Sequence, residues 1–364
     1  MKTFSTSSEE ELTPGNSHMK NLKIYFLGNK IGHSIHKFIP TNLTNKRRGE
    51  EDAFLDLEGV ERTHFINKSD ILFFRNRGAT TTDKVFDSLS SRVLNNKLII
   101  NDIRSFLNYD SKDRSFEIWK KNNLKCPNYI SFSLKDFNES NDIENQIYEF
   151  LEKYKKILLR TNNETGSNGL YVINKKEEVP EILLILKERI LTLAPKRKDT
   201  KLICVEYIEQ KTSGNSNNLY RVHVLFDKIL SYYVTTSTRD EFHNADMKKN
   251  DLDSFISENK KFQHLLPRIE DELIKAVKLL GCNIGAIEFF LLDNKPCFLE
   301  LNPIWGGHAS RDGFGDKEVM DYINKNRETL SKEIPNIFKW LDYKSYYTEM
   351  YSKIKDFYLE NFNR

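Results

Sequence analysis

Two glutamates twelve positions apart, Glu288 and Glu300, stand in apolar runs near the end of this 364-residue chain. Ile284–Leu292 and Cys297–Leu301 read as strands joined by a turn at Asp293-Asn294-Lys295. A three-residue turn pairs Leu292 with Pro296, and so Glu288 with Glu300. Their side chains then lie opposite on one face, with Cβ atoms roughly 4.5–5.5 Å apart. Asn302 shares that face, two residues on. Opposed carboxylates repel unless a cation lies between them. Hard oxygen ligands with open positions suit Mg²⁺, which also takes oxygens from nucleotide phosphates. The competing reading is a solvated hairpin face, and the flanking Ile287, Phe289, Phe290, Phe298 and Leu299 weaken it.

Three further segments carry chemistry of the same kind. The loop Thr161–Gly169 holds Gly166, Ser167 and Gly169 between apolar strands. Small residues let backbone N–H groups wrap phosphate oxygens; a plain hairpin turn is the alternative. Val205-Glu206-Tyr207-Ile208-Glu209 reads as a strand ending in a hinge. Such a hinge offers one carbonyl and one N–H to an adenine edge, with a Glu for the exocyclic amine or the ribose; a solvated strand end is the alternative. Lys112 heads a helix and Arg160 ends the strand before the glycine loop. Either cation neutralises phosphates, although a lone one is ordinary surface charge.

The elements that must position these residues follow from periodicity. A helix is expected from Ser111 to Asn122, stopping before Cys126-Pro127. Strands are expected at Ile157–Leu159 and Leu170–Ile173, and a helix at Glu178–Leu193 with Pro180 in its first turn. Tyr220, Val222, Val224 and Phe226 alternate with Arg221, His223 and Leu225, and a turn at Asp227-Lys228 leads into Ile229–Val234. Ile269, Leu273, Val277 and Leu280 form a helical stripe that Gly281 stops, and residues 316–364 read as helical. Near the N-terminus, Lys23–Leu27, Ile71–Phe74 and Leu98–Ile100 are short apolar strands, with a helix-like stretch near Asp83–Leu94. That pattern predicts a small α/β unit with a mostly parallel sheet.

Composition narrows the function classes. The 56 basic and 53 acidic side chains leave a net charge of +3, so no strong field favours nucleic acid or a membrane surface. Basic clusters at Lys46-Arg47-Arg48 and Lys196-Arg197-Lys198 read as solvated loops. No apolar run is long enough to span a membrane. Glu9, Glu10 and Glu11 stand where a signal peptide needs apolar residues, so a cytoplasmic protein is expected. Residues 1–18 read as a disordered tail, with Met19 as the natural start. Cys126, Cys204, Cys282 and Cys297 form no CxxC pair and read as buried reduced thiols.

Taken in order, Lys112, Arg160 with Gly166 and Gly169, Glu206–Glu209, Arg221, and Glu288 with Phe298-Leu299-Glu300-Leu301-Asn302-Pro303 resemble the ATP-grasp superfamily. Its glutathione-synthetase-like and ribosomal-protein glutamate-ligase-like branch is the most similar. The likeness covers about residues 20–315. It implies a tail at 1–18, an N-terminal α/β domain at 19–108, a small α+β lid subdomain at 109–200, an α+β metal-bearing subdomain at 201–325 and a helical extension at 326–364. The two α+β subdomains would clasp ATP. The activity implied is ATP-dependent joining of a carboxylate and an amine through an acylphosphate, with ADP and phosphate released.

The same resemblance assigns roles. Glu288, Glu300 and Asn302 hold one or two Mg²⁺, with Mn²⁺ as a substitute. Lys112 and Arg160 hold phosphates, and Glu164, Gly166, Ser167 and Gly169 belong to the loop that closes over them. Glu206, Tyr207, Ile208 and Glu209 hold adenine, and Arg221 stabilises the transferring group. Trp305, His308, Arg311 and Arg239 are substrate candidates, with Arg75 and Arg77 behind them. Small-molecule or peptide acids and amines are the implied partners, a homodimer is common among such proteins, and neither nucleic acid nor membrane is expected. Departures are Arg160 in place of Lys, Glu288 in place of Asp, and a loop with two glycines. The Thr212–Leu219 insert also hides the usual ribose acid, and Tyr232-Tyr233-Val234 stand where a second arginine is expected. A nucleotide-binding protein or a kinase without ligase activity is the alternative.

Overall fold

A computed structural model describes residues 24–28, 69–75, 97–102, 104–139, 142–164, 169–195, 197, 199–209, 216–239, 246–303 and 313–362. The expected tail and the Asp83–Leu94 helix lie outside them. Strands β1 (Ile24–Gly28), β2 (Ile71–Arg75) and β3 (Leu98–Ile100) form a parallel sheet in that order. Ile71, Leu72 and Phe73 are all buried, so β2 is covered on both faces, which is why these strands read as unbroken apolar runs.

Helix α1 (Phe106–Tyr109) leads into α2 (Lys112–Lys121). Asp113 in the first turn of α2 and Lys120 and Lys121 in the last complement its dipole, and Asn123 at φ 60° turns the chain out. Trp119 is fully buried and its indole N–H donates to the Ala276 carbonyl at 3.0 Å.

The second sheet has the order β4-β7-β5-β6, every adjacent pair antiparallel. Its strands are β4 (Tyr129–Phe132), β5 (Ile157–Thr161), β6 (Leu170–Ile173) and β7 (Leu202–Glu206). Between them run α3 (Leu134–Glu139), α4 (Ile143–Tyr154) and α5 (Val179–Leu193). Ile147 and Leu151 of α4 and Leu186 and Ile190 of α5 pack against Ile157, Leu159, Leu202 and Cys204. Ile203 and Val205 face the other way, into the core that also holds Phe116 and Trp119 of α2. Two features lie across the expected boundary at residue 200. β7 belongs to this second sheet, so the change of sheet falls after Glu206. And α2 packs with the next sheet's core.

The third sheet has the order β11-β10-β8-β9 and is antiparallel throughout. It comprises β8 (Asn217–Leu225), β9 (Lys228–Ser237), β10 (Ile284–Leu292) and β11 (Lys295–Asn302). Helix α6 (Leu252–Leu279) lays Phe262, Ile269, Leu273 and Val277 on Val222, Val234, Ile287 and Phe289. The Asn259 side chain accepts from the Val234 N–H and donates to its carbonyl, both at 2.9 Å, so it pairs with the edge strand as a strand would. The stripe ends where expected, at Gly281 with φ 82°.

Helices α7 (Lys317–Lys325), α8 (Arg327–Glu333), α9 (Pro335–Leu341) and α10 (Tyr343–Phe362) realise the expected helical end of the chain. They share a core with Tyr233, Ile284 and Ala286 and with the parallel sheet. The overall class agrees with expectation: a parallel sheet is followed by α+β structure. All four cysteines are buried thiols, and burial pushes those of Cys126, Cys282 and Cys297 up to about 12. Among the described residues no helix is long and apolar enough to cross a membrane.

Two turns differ from expectation. Leu225 pairs with Lys228, so the β8–β9 turn is Phe226-Asp227, not Asp227-Lys228. Phe226 takes φ 58° there, with its ring stacked on Phe357 at 3.8 Å. The β10–β11 turn is two residues, Asp293 and Asn294, both left-handed at φ 53° and 61°. The register nevertheless shifts between Glu288 and Phe289, where Phe289 meets Phe298 and Glu288 meets Glu300. This bulge restores the offset that a shorter turn removes.

Candidate functional site

The four strands of the third sheet line up one residue each: Glu300 opposite Glu288, Glu288 opposite Arg221, Arg221 opposite Tyr233. This rung crosses the sheet on the face away from α6. The Glu288 Oε1 accepts from Arg221 Nη1 at 2.7 Å and from the Asn302 amide at 3.4 Å. Lys112 Nζ, from the first residue of α2, stands 3.1 Å from Glu300 Oε2. The same ammonium donates to the Glu164 carbonyl at 3.2 Å, and Arg160 Nη2 donates to that carbonyl at 3.0 Å. Glu288, Glu300, Asn302, Arg221, Lys112, Arg160 and the Glu164 backbone thus form one connected cluster.

Its charges are mutually dependent. Burial and the neighbouring Arg160 draw the Lys112 ammonium below its ordinary pKa, against the pull of Glu300 and Glu288. Burial pushes the Glu300 carboxyl up, but Lys112, Arg160 and Arg221 together outweigh it and hold it low. Burial opposes the charge on Arg221, and Tyr233, Glu288 and Glu300 overcome that. Arg221 Nε is buried and finds no acceptor among the described residues.

A hydrogen-bonded seam fixes the cations. Lys112 N–H donates to the Asn162 carbonyl at 3.0 Å. The Asn162 amide donates to Ser111 Oγ at 2.7 Å and Asp113 Oδ1 at 3.0 Å, and its carbonyl oxygen accepts from Lys201 N–H at 2.9 Å. Asp113 also pairs with Lys201 at 2.9 Å. This seam joins the start of α2 to the ends of β5 and β7. Ser111 before Lys112 was legible as a helix start, but nothing local in the sequence marked Asn162, Asp113 or Lys201 as its partners.

The glycine loop is described at its two ends. The Glu164 carboxylate is taken by Arg189 of α5, Nε to Oε2 at 2.5 Å and Nη2 to Oε1 at 2.6 Å, and by Thr161 at 2.7 Å. The Glu164 backbone carbonyl turns to Lys112 and Arg160. Gly169 has φ 63°. Gly166 and Ser167 lie outside the described residues.

At the expected hinge, Glu206 Oε2 accepts from the Asn128 backbone at 3.1 Å and its side chain at 2.8 Å. Tyr207 N–H donates to the Lys156 carbonyl at 3.2 Å, and the Lys156 ammonium lies 3.9 Å from the Tyr207 ring centre. Tyr207, Ile208 and Glu209 follow the end of β7, with Glu209 exposed. Arg239 pairs with Asp246 at 3.3 Å on the surface, and Tyr232-Tyr233-Val234 stand where a second arginine is expected. Tyr233 holds that place beside Arg221 instead. Trp305, His308, Arg311 and Arg77 lie outside the described residues, and of Arg75 only the backbone in β2 is described.

Among the described residues no group of three His, Cys, Asp or Glu gathers to hold a metal. The donor set here is two carboxylates and one amide. Such a set suits Mg²⁺, which keeps several waters and takes phosphate oxygens.

No protein-family model matches the sequence, and no curated protein matches it. Among solved structures, the chain is similar to D-alanine–D-alanine ligase from Bacillus anthracis complexed with ATP, at 14% identity, covering 86% of this chain and 98% of that one, TM-score 0.48. It is similar to N5-carboxyaminoimidazole synthase from Aspergillus clavatus in complex with ADP, at 16% identity, covering 78% and 70%, TM-score 0.48. It is also similar to the ATP-grasp ligase PsnB complexed with a minimal precursor, at 13% identity, covering 71% and 79%, TM-score 0.40.

Proposed function

We propose that this chain is an ATP-grasp enzyme that binds ATP with Mg²⁺ between the second and third sheets and uses it to join a carboxylate to an amine. The observation that supports this best is the meeting of the Glu300–Glu288–Arg221 rung with Lys112 and Arg160. Two carboxylates and two phosphate-type cations from separate elements neutralise one another across a short gap. That is a suitable resting state for a site that takes a metal-bound polyphosphate. The buried Arg221 Nε, which meets no acceptor among the described residues, is a donor in want of an anion.

In this reading Glu288, Glu300 and Asn302 hold Mg²⁺, which when bound neutralises phosphate charge. Glu288 and Glu300 stand opposite each other and the Asn302 amide meets Glu288 Oε1, so these three side chains would hold the cation together. Lys112 and Arg160 exchange the Glu164 carbonyl for phosphate oxygens. Glu206 and the backbone after it hold adenine, and the Asn128 contacts orient the Glu206 carboxylate towards the base. The γ-phosphoryl group passes to the substrate carboxylate, giving an acylphosphate and ADP. The amine then displaces phosphate, and its proton leaves with the displaced group or to water. Arg221 is placed to steady the charge that builds on the transferring phosphoryl or on the tetrahedral oxygen. The protein's contribution is positioning and charge neutralisation.

The test is a screen of amino acids, small peptides and peptide pools for release of ADP and phosphate, with products read by mass. Release that requires both an acid and an amine, with an amide product, is expected. ADP formation with a phosphorylated hydroxyl product would make the chain a kinase instead, and binding without turnover a nucleotide-binding protein.

A further inference from the structure

We infer that Arg189, on α5 and outside the cluster, is a positioning residue that sets the phosphate-binding cations through Glu164. The inference rests on the nucleotide reading above. Glu164 works from both ends. Its carboxylate is gripped by both arms of Arg189 and by Thr161. Its carbonyl accepts from both Lys112 and Arg160. Fixing the carboxylate fixes the direction of the carbonyl, and the carbonyl holds two like charges side by side before any phosphate arrives. The paired, forked geometry is the strong form of such a contact.

Gly169 supplies an independent observation. A Cβ there would stand 2.8 Å from Arg189 Nε and 3.0 Å from Glu164 Oε2, and its φ of 63° is strained for any other residue. Gly169 therefore rests directly on the Arg189–Glu164 pair. Two described residues on either side of the loop are held against one guanidinium, itself carried by a helix whose Leu186 and Ile190 are fully buried. Burial pushes the Glu164 carboxyl up, but Arg189 and Thr161 pull it lower still, as a permanently charged grip requires.

The experiment uses the full chain and the variants Arg189→Met and Arg189→Lys. Amide hydrogen exchange of peptides covering 161–171, measured without nucleotide, reads the grip itself. Calorimetric titration with ATP plus Mg²⁺, beside titration with adenosine, reads its consequence. Arg189→Met should speed exchange at 161–171 and weaken ATP plus Mg²⁺ by about tenfold, while adenosine, which has no phosphates, binds as to the parent. Arg189→Lys keeps the charge but loses the fork, and should recover part of that loss. Equal weakening of ATP and adenosine would mean a merely structural role and would overturn the inference, as would parental exchange and parental ATP affinity in Arg189→Met. Should Arg189→Met fail to fold, Arg189→Lys decides alone, by the same comparison. If the parent binds neither ligand, the nucleotide reading falls and this inference with it, an outcome distinct from failure of the variants alone.

Discussion

Two neighbouring rungs on one face of the third sheet have opposite characters. The first runs Glu300–Glu288–Arg221–Tyr233. The second, two residues along, runs Asn302–Ala286–His223–Ser231. His223, Ala286 and Ser231 are fully buried, whereas Glu288, Glu300 and Arg221 keep some exposure. The C-terminal helices make the difference. Trp340 of α9 lies 4.7 Å from the His223 ring centre, and the Tyr346 hydroxyl of α10 sits 2.8 Å from His223 Nδ1, as does Ser231 Oγ. Burial, with Arg221 and Lys339 nearby, drives the His223 pKa well below 6.5 and keeps the ring neutral. Where helices cover the face, its histidine is neutral and packed among aromatic rings. Where they do not, charges accumulate, and that is the chemically useful end.

The largest expected effect is on the first rung. Glu300→Gln should lower turnover about a thousandfold or more (~4 kcal/mol) while ATP still binds, and Glu288→Asp should keep part of the activity. Glu300→Gln should also cost some melting temperature, since the buried Lys112 loses its counter-charge. Next comes removal of the cover on the second rung. Trp340→Ala deletes a side chain with 2% exposure and should cost about 3–5 kcal/mol by chemical denaturation, with ATP affinity unchanged in the folded fraction. If it abolished nucleotide binding in folded protein, the two rungs would not be separable.

A smaller effect is expected outside both rungs. Glu206→Ala should weaken ATP about tenfold and GTP much less, because the Asn128-oriented carboxylate reads an amine; equal losses would reject that role. The smallest is a pH effect. A base with a depressed folded pKa takes its proton in the unfolded chain, so its contribution is present above pH about 6.5 and lost as pH falls. His223→Gln should therefore remove up to about 1.4 kcal/mol per pH unit from the fall in stability below that point. An unchanged slope between parent and variant would mean that the ring is charged in the fold.

Local pattern made part of this site readable. Glu288 opposite Glu300 followed from alternation along two strands, and held although the turn is one residue shorter, because the bulge beside Glu288 compensates. Helix α2 was bounded within a residue by Ser111 and Asn122. What was not readable joins distant segments. β7 pairs with β4 and β5 through contacts that no local periodicity encodes. Lys201 meets Asp113 across 88 positions and Arg189 meets Glu164 across 25. In the sequence these are ordinary surface charges, and only the fold makes them partners. Tyr233, which read as the gap left by a missing arginine, is the fourth member of the rung.

Calorimetric titration of ATP into the parent chain and into Lys112→Met, each with Mg²⁺ and with EDTA, tests the central claim most directly. The account predicts binding in the parent that depends on Mg²⁺ and is at least about tenfold weaker in Lys112→Met. ATP binding absent from the parent, or indifferent both to Mg²⁺ and to the loss of Lys112, would contradict it.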